Sequence, residues 1–283
     1  MLELTGFGSV LRGIGILYWV LAIGAVSLAI WKGKNWQRKT FWAGLAIVAF
    51  GFLPAKAMIE QVQRNAYARE AWAHFKKLCD EKSGEKIYKT YTGVKSVLVV
   101  KPLPPATEKD LYDQFWYGDP YSSDIALLDR GERLAGTFIG RVQFLKNSHA
   151  EHGFAFFEQQ AVGRVFQRVQ PTEGPPFTTK LVIKKPESRF GISWEDISTP
   201  EDRKYWVAAS RLRVFDLTDN TIIAERMGYF IEAGFGSKAG QRRPWQSSRG
   251  PGTTCPPINN RTFEDRWFVL RVLKPTEGNS DGK

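Results

Sequence analysis

Two uncharged apolar stretches fall within the first sixty residues of this 283-residue chain, and a basic loop divides them. Gly13 to Trp31 runs nineteen residues without a charge, enough to cross a hydrocarbon core of roughly 30 Å at about 1.5 Å per helical residue. Thr40 to Ala55 adds sixteen, and Ala57, Met58 and Ile59 resume the run beyond Lys56, whose ammonium can reach a headgroup layer. The spacing predicts a transmembrane helical hairpin over 1–59, with residues 13–59 in contact with a lipid bilayer. The loop holds Lys32, Lys34, Arg38 and Lys39 and no acid, so it belongs in the cytoplasm. Trp31, Trp36 and Trp42 flank it where an interfacial belt sits. Both termini and everything after the hairpin are then expected in the periplasm, anchored to a bacterial inner membrane.

The charge balance has to be divided along the same line. The whole chain is +11, but residues 1–59 contain six basic residues and one acid, leaving 34 basic and 28 acidic residues, or +6, on the rest. That interleaved balance does not make a nucleic-acid-binding stripe. Two cysteines, Cys79 and Cys255, are most simply a disulfide in an oxidising compartment. Their alternative is a pair of unbonded buried thiols.

Periodicity predicts the elements. Glu60 to Ser83 carries Tyr67, Ala71, Trp72, Phe75, Leu78 and Cys79 at helical spacing, a stalk helix over 60–84 that packs on the following domain, with Gly84 as its stop. From Lys86 the period becomes two. Strands are expected at Lys86–Thr92, Lys95–Lys101, Phe138–Leu145, Phe154–Gln159, Gly163–Gln170 and Phe177–Lys184, and a short helix at Thr107–Phe115. Trp206–Val214 and Ile223–Ile231 form a hairpin about Thr218-Asp219-Asn220, preceded by a helix start at Thr199-Pro200-Glu201-Asp202. Phe263–Leu273 reads as a closing strand and 274–283 as a disordered tail. The fold class is α+β, with one mainly antiparallel domain over 85–273.

Catalytic chemistry finds little support. No Gly-x-Ser-x-Gly elbow occurs; Ser237 in Gly234–Gly240 lacks the strand-to-helix setting. Phosphate-binding glycine motifs are absent, so no nucleotide cofactor is indicated. His149 and His152 flank Glu151 in a loop pattern that does not align two imidazoles for a metal. Glu195, Asp196, Glu201 and Asp202 remain as carboxylates that could serve a hydrolase of envelope polymers or lipids, although the last two already suit a helix N-terminus. The long irregular stretch 234–257 is the candidate binding surface, through Lys238, Arg242, Arg243, Trp245 and Arg249, because Arg and Trp dominate protein-interface energetics.

Leu78-Cys79-Asp80-Glu81-Lys82-Ser83-Gly84-Glu85-Lys86-Ile87-Tyr88, Trp194 to Trp206, Gly236 to Gly240 and Cys255-Pro256 resemble segments of proteobacterial membrane-anchored envelope proteins, some encoded beside secreted antibacterial effectors. That resemblance implies a non-catalytic periplasmic binding protein with a protein partner, of the immunity type. It assigns no functional residue. The competing expectations are a structural accessory of an envelope machine and the carboxylate hydrolase.

Overall fold

The structure is a computed structural model and describes residues 7–32, 35–101, 106–116, 118, 120–121, 154–160, 165–171, 178–246, 252–257 and 264–275. The expected strand at 138–145 and His149, Glu151 and His152 lie outside the described residues, as does Arg249. The chain divides into two compact units, Met1–Arg69 and Glu70–Lys283.

The first unit holds α1 (Phe7–Lys32) and most of α2 (Trp36–Lys82). Both helices are long and apolar enough to cross a membrane. The second apolar run and the stalk are one uninterrupted helix of 47 residues, with Pro54 inside it. Ser83 ends that helix, its hydroxyl donating to the Cys79 carbonyl at 2.7 Å, and Gly84 takes φ +146° to start the next strand.

The second unit is α+β and mostly antiparallel. Its strands are β1 (Gly84–Ile87), β2 (Tyr91–Val94), β3 (Ser96–Lys101), β4 (Phe156–Gln160), β5 (Phe166–Pro171), β6 (Thr178–Ile183), β7 (Phe190–Asp196), β8 (Val207–Asp216), β9 (Thr221–Ile231), β10 (Thr254–Cys255) and β11 (Leu273–Pro275). The helices are α3 (Pro200–Lys204) and α4 (Glu264–Val272). Among the described residues the main sheet runs β1-β9-β8-β7-β3-β4-β5-β6, with β10 also on β9. β3 is parallel to both β4 and β7, and the remaining pairs of this sheet are antiparallel. β11 and β2 form a separate parallel pair.

Four expectations need correcting. The run 86–92 is two strands: β1 joins β9, while β2 pairs β11 in the second sheet. The helix at 107–115 shrinks to a 3-10 turn, Asp110–Tyr112, where Asp110 Oδ2 accepts from Thr107 N and Oγ1 at 2.6 and 2.7 Å. Of the closing strand expected at Phe263–Leu273, Glu264–Val272 is helical and Leu273 opens β11. Phe268, Val269 and Val272 recur at the spacing of one helix face and are wholly buried, while Trp267 stays 41% exposed. Lys274 and Pro275, expected in the tail, belong to β11.

Alternation along β8 and β9 supplies two apolar faces, and each is covered by a helix. Val207, Ala209, Tyr229 and Ile231 pack with Ala71, Phe75 and Leu78 of α2. On the other face Leu212, Val214 and Ala224 join Val97, Val99, Ile192 and Trp194 beneath Phe268, Val269 and Val272 of α4. Each Val, Leu, Ile or Phe among them contributes roughly 1.5–3 kcal/mol when fully buried.

One buried carboxylate ties several strands of this unit together. Glu158 is wholly buried and accepts from Arg168 Nη2 at 2.8 Å, Ser188 Oγ at 2.7 Å, and the amides of Glu187 and Ser188 at 2.9 Å. Burial is the largest influence on its carboxyl and would raise its pKa. The bonds from Arg168, Ser188 and Glu187 outweigh it and hold the group below its ordinary value. The hub joins β4, β5 and the approach to β7.

Candidate functional site

The irregular stretch after β9 begins with a carboxylate that organises it. Glu232 is wholly buried and accepts from the amides of Gly234 at 2.9 Å and Gly236 at 2.6 Å, and from Arg242 Nη2. The turn depends on its glycines. A Cβ on Gly234 would stand 1.5 Å from Arg242 Nη1, and one on Gly236, at φ +77°, would strike the Trp206 ring at 2.3 Å. Phe235, between them, also takes a positive φ of 48°.

The sequence offers Trp245 as a surface anchor, and the structure puts it in the core. It is 0% exposed, with its ring 5.1 Å from Trp206 and 6.1 Å from Phe230. Its Nε1 donates to the Asp113 carbonyl at 2.6 Å, and the Arg203 guanidinium lies 5.0 Å from the ring centroid. Arg203 in turn donates from Nη2 to Asp196 Oδ2 at 2.7 Å and to the Gly118 carbonyl at 2.9 Å. Arg242 is likewise committed inward, to Glu232. The physical reason is common to both: the described residues 232–246 form no strand, and side chains that fold under this part of the loop hold it.

Two of the named cations stay at the surface. Lys238 lies 5.2 Å above the Tyr112 ring, and Arg243 pairs with Glu108 at 2.8 Å while remaining 43% exposed. Both therefore stand on the 106–116 segment. Gln114 Nε2 fastens that segment to the end of α3 by donating to the carbonyls of Arg203 and Lys204, each at 2.8 Å. Phe115 is 52% exposed on the same segment. Lys238 and Arg243 thus meet Tyr112 and Glu108 of the 106–116 segment, which also exposes Phe115, while Trp245 and the carboxylate of Glu232 are buried in the loop that carries the two cations. The partnership of 106–116 with 238–245 is the part of the site that the sequence does not disclose.

Cys79 and Cys255 are bonded, with Cα atoms 5.7 Å apart. The bond fixes β10 to α2, and β10 pairs with Phe230 and Tyr229 of β9.

Of the four carboxylates offered for hydrolysis, three have structural partners and Glu201 is exposed. Glu195 and Asp196 are consecutive in β7 and project to opposite faces. Glu195 lies 3.1 Å from Arg211 and 3.4 Å from Arg213, while Asp196 takes Ser198 and Arg203. Thr199 and Asp202 make the reciprocal capping box expected at a helix start. Asp202 Oδ1 is also 2.7 Å from His74 Nε2, and His74 stacks on Tyr205 at 5.2 Å. Nearby Tyr229 has its pKa raised, first by burial and then by the charge of Asp202. Ser237 Oγ accepts from the Ala239 amide at 3.4 Å. Among the described residues no three His, Cys, Asp or Glu side chains are placed to hold a metal ion.

No protein-family model, curated protein or solved structure matches the chain.

Proposed function

We propose that this chain is a membrane-anchored, non-catalytic binding protein of the bacterial envelope. In this reading α1 and the apolar part of α2 cross the inner membrane as a hairpin, and the sheet unit faces the periplasm with both termini. The Tyr112–Phe115–Lys238–Arg243 surface engages a protein partner with an acidic face. The resemblance to envelope proteins encoded beside antibacterial effectors gives the partner its class: an effector that attacks the envelope, neutralised by direct binding.

The observation that carries the reading is the foundation under that surface. A cationic and aromatic patch is backed by a buried salt bridge, a capped turn and a buried tryptophan, so little side-chain freedom remains to be lost when a partner docks. The periplasmic assignment is supported by Cys79. The helix that carries the second apolar run also carries half of a disulfide, a bond of oxidising compartments.

The test combines Phe115→Ala, Lys238→Glu and Arg243→Glu in the full chain. Recovery of a stoichiometric periplasmic partner by the wild type, lost in the variant at unchanged thermal stability, is the expected result. Deletion of the gene should also sensitise cells to a sibling's effector. Equal recovery by both proteins, or no fitness change in competition, would contradict the proposal.

A further inference from the structure

Pro54 stands inside α2, where a proline has no amide hydrogen to give to the carbonyl four residues back. That carbonyl belongs to Phe50. From α1, the Tyr18 hydroxyl donates to the Phe50 carbonyl oxygen, and the two rings meet with centroids 5.8 Å apart in an edge arrangement. We propose that Tyr18 is an interhelical clamp, supplying across the α1–α2 contact the hydrogen bond that Pro54 removes from α2.

The exposure pattern along both helices agrees with this contact. In α1 the residues withdrawn from the surface include Tyr18, Ala22, Ala25 and Ala29; in α2 they include Lys39, Ala43, Ala46, Phe50 and Pro54. Steps of three and four residues place each set on one helix face. Ala22, one turn from Tyr18, is only 6% exposed. Tyr18 to Lys32 and Trp36 to Phe50 are each fourteen steps, about 21 Å of helix. An antiparallel pair joined between Lys32 and Trp36 therefore brings Tyr18 level with Phe50. The same count sets Ala22 against Ala46 and Ala25 against Ala43, small residues of the kind that line helix contacts in lipid.

The chemistry explains a tyrosine within an otherwise uncharged apolar run. A hydroxyl in hydrocarbon needs an acceptor, and a carbonyl orphaned by proline needs a donor, each costing several kcal/mol if left alone there. One bond satisfies both. The clamp rests on the membrane-anchor reading, since only water-free surroundings give the pair this value.

The test is a double-mutant cycle of Tyr18→Phe and Pro54→Ala in the full chain. Helix association is read by crosslinking Ala25→Cys to Ala43→Cys during SDS titration in bicelles. Tyr18→Phe alone should shift the balance between associated and separated helices by roughly three- to thirtyfold, the range of hydrogen bonds between membrane helices. In the Pro54→Ala background, where Phe50 regains its own amide donor, the same substitution should shift nothing. Equal shifts in both backgrounds, or none in the wild type, would overturn the clamp. Carbonate extraction of the wild-type chain separates the two ideas. Retention in membranes with an uncoupled cycle overturns the clamp alone, whereas release from membranes overturns the anchor and the clamp's setting with it.

Discussion

The Arg242 guanidinium reaches the wholly buried carboxylate of Glu232 by passing directly over Gly234, where even a methyl group would stand 1.5 Å from Nη1. One ion pair therefore shapes the loop that carries the candidate surface. Truncating Arg242 to alanine leaves a buried charge with fewer donors, and the expected loss of stability is about 3–5 kcal/mol. Arg243→Ala, one residue on, removes a pair with Glu108 in which both side chains are substantially exposed, and should cost no more than about 1 kcal/mol. Denaturant unfolding of the two variants measures the contrast, and similar losses would mean that the buried pair does not organise the loop.

The Cys79–Cys255 bond closes a loop of 176 residues. In the chain-entropy model a closure of that length stabilises by about 5 kcal/mol, and native disulfides commonly give roughly 2–5. Reduction, or Cys255→Ser, should lower the unfolding free energy within that range. Segment 252–257 should then become the first site cut by protease, because β10 is a strand of two residues that this bond ties to α2. An unreduced protein that alkylates at both positions while folded would contradict the bond.

Acid should weaken the fold in a defined window. The Asp216 carboxyl is held well below its ordinary value of 3.8, first by the hydrogen bond from Arg189, with Thr218 and Tyr91 adding to it against the opposing effect of burial. Glu158 is also lowered, from 4.5. For a carboxylate whose folded pKa is depressed, the stabilisation is complete above the unfolded value and drains away as pH falls through the folded one. Unfolding free energy should thus stay level from neutrality to about pH 5 and fall below about pH 4. Asp216→Asn should be less stable at pH 7 and show a shallower acid slope. An unchanged slope would remove Asp216 from the account.

Asp202 joins two elements, completing the capping box of α3 from its third position and meeting His74 of α2. Asp202→Ala removes the carboxylate that accepts from Thr199 and meets His74, and should cost about 1.5–3 kcal/mol, the range of hydrogen bonds to charged groups, while Glu201→Ala, exposed beside it, should cost no more than about 0.5. Thermal unfolding of the pair distinguishes a structural acid from one of two interchangeable surface acids.

Residue pattern discloses this fold unevenly, for physical reasons. The β8–β9 hairpin and the Thr199 cap are legible because alternation and capping chemistry are local. β7 is not, because Phe190 to Trp194 are buried on both faces and show no alternation, and Gly191 is small where Leu217 and Val100 press close. α4 misleads through its Phe, Val and Leu content, though its buried positions are spaced for a helix. At the candidate surface, Lys238 and Arg243 are legible as exposed cations. Trp245 is not legible as core, since its cover comes from Phe230, Trp206 and Asp113, up to 132 residues away in sequence. The Tyr18–Phe50 bond leaves one sequence signal, a tyrosine in an apolar run answered by a proline four residues beyond Phe50.

In the proposed function the sheet unit lies outside the cytoplasm on a two-helix anchor. Fusing alkaline phosphatase and, separately, green fluorescent protein behind Lys283 in a bacterial host tests this most directly. An active phosphatase and a dark fluorophore are the predicted result. A bright fluorophore with an inactive phosphatase would put the sheet unit in the cytosol and contradict it.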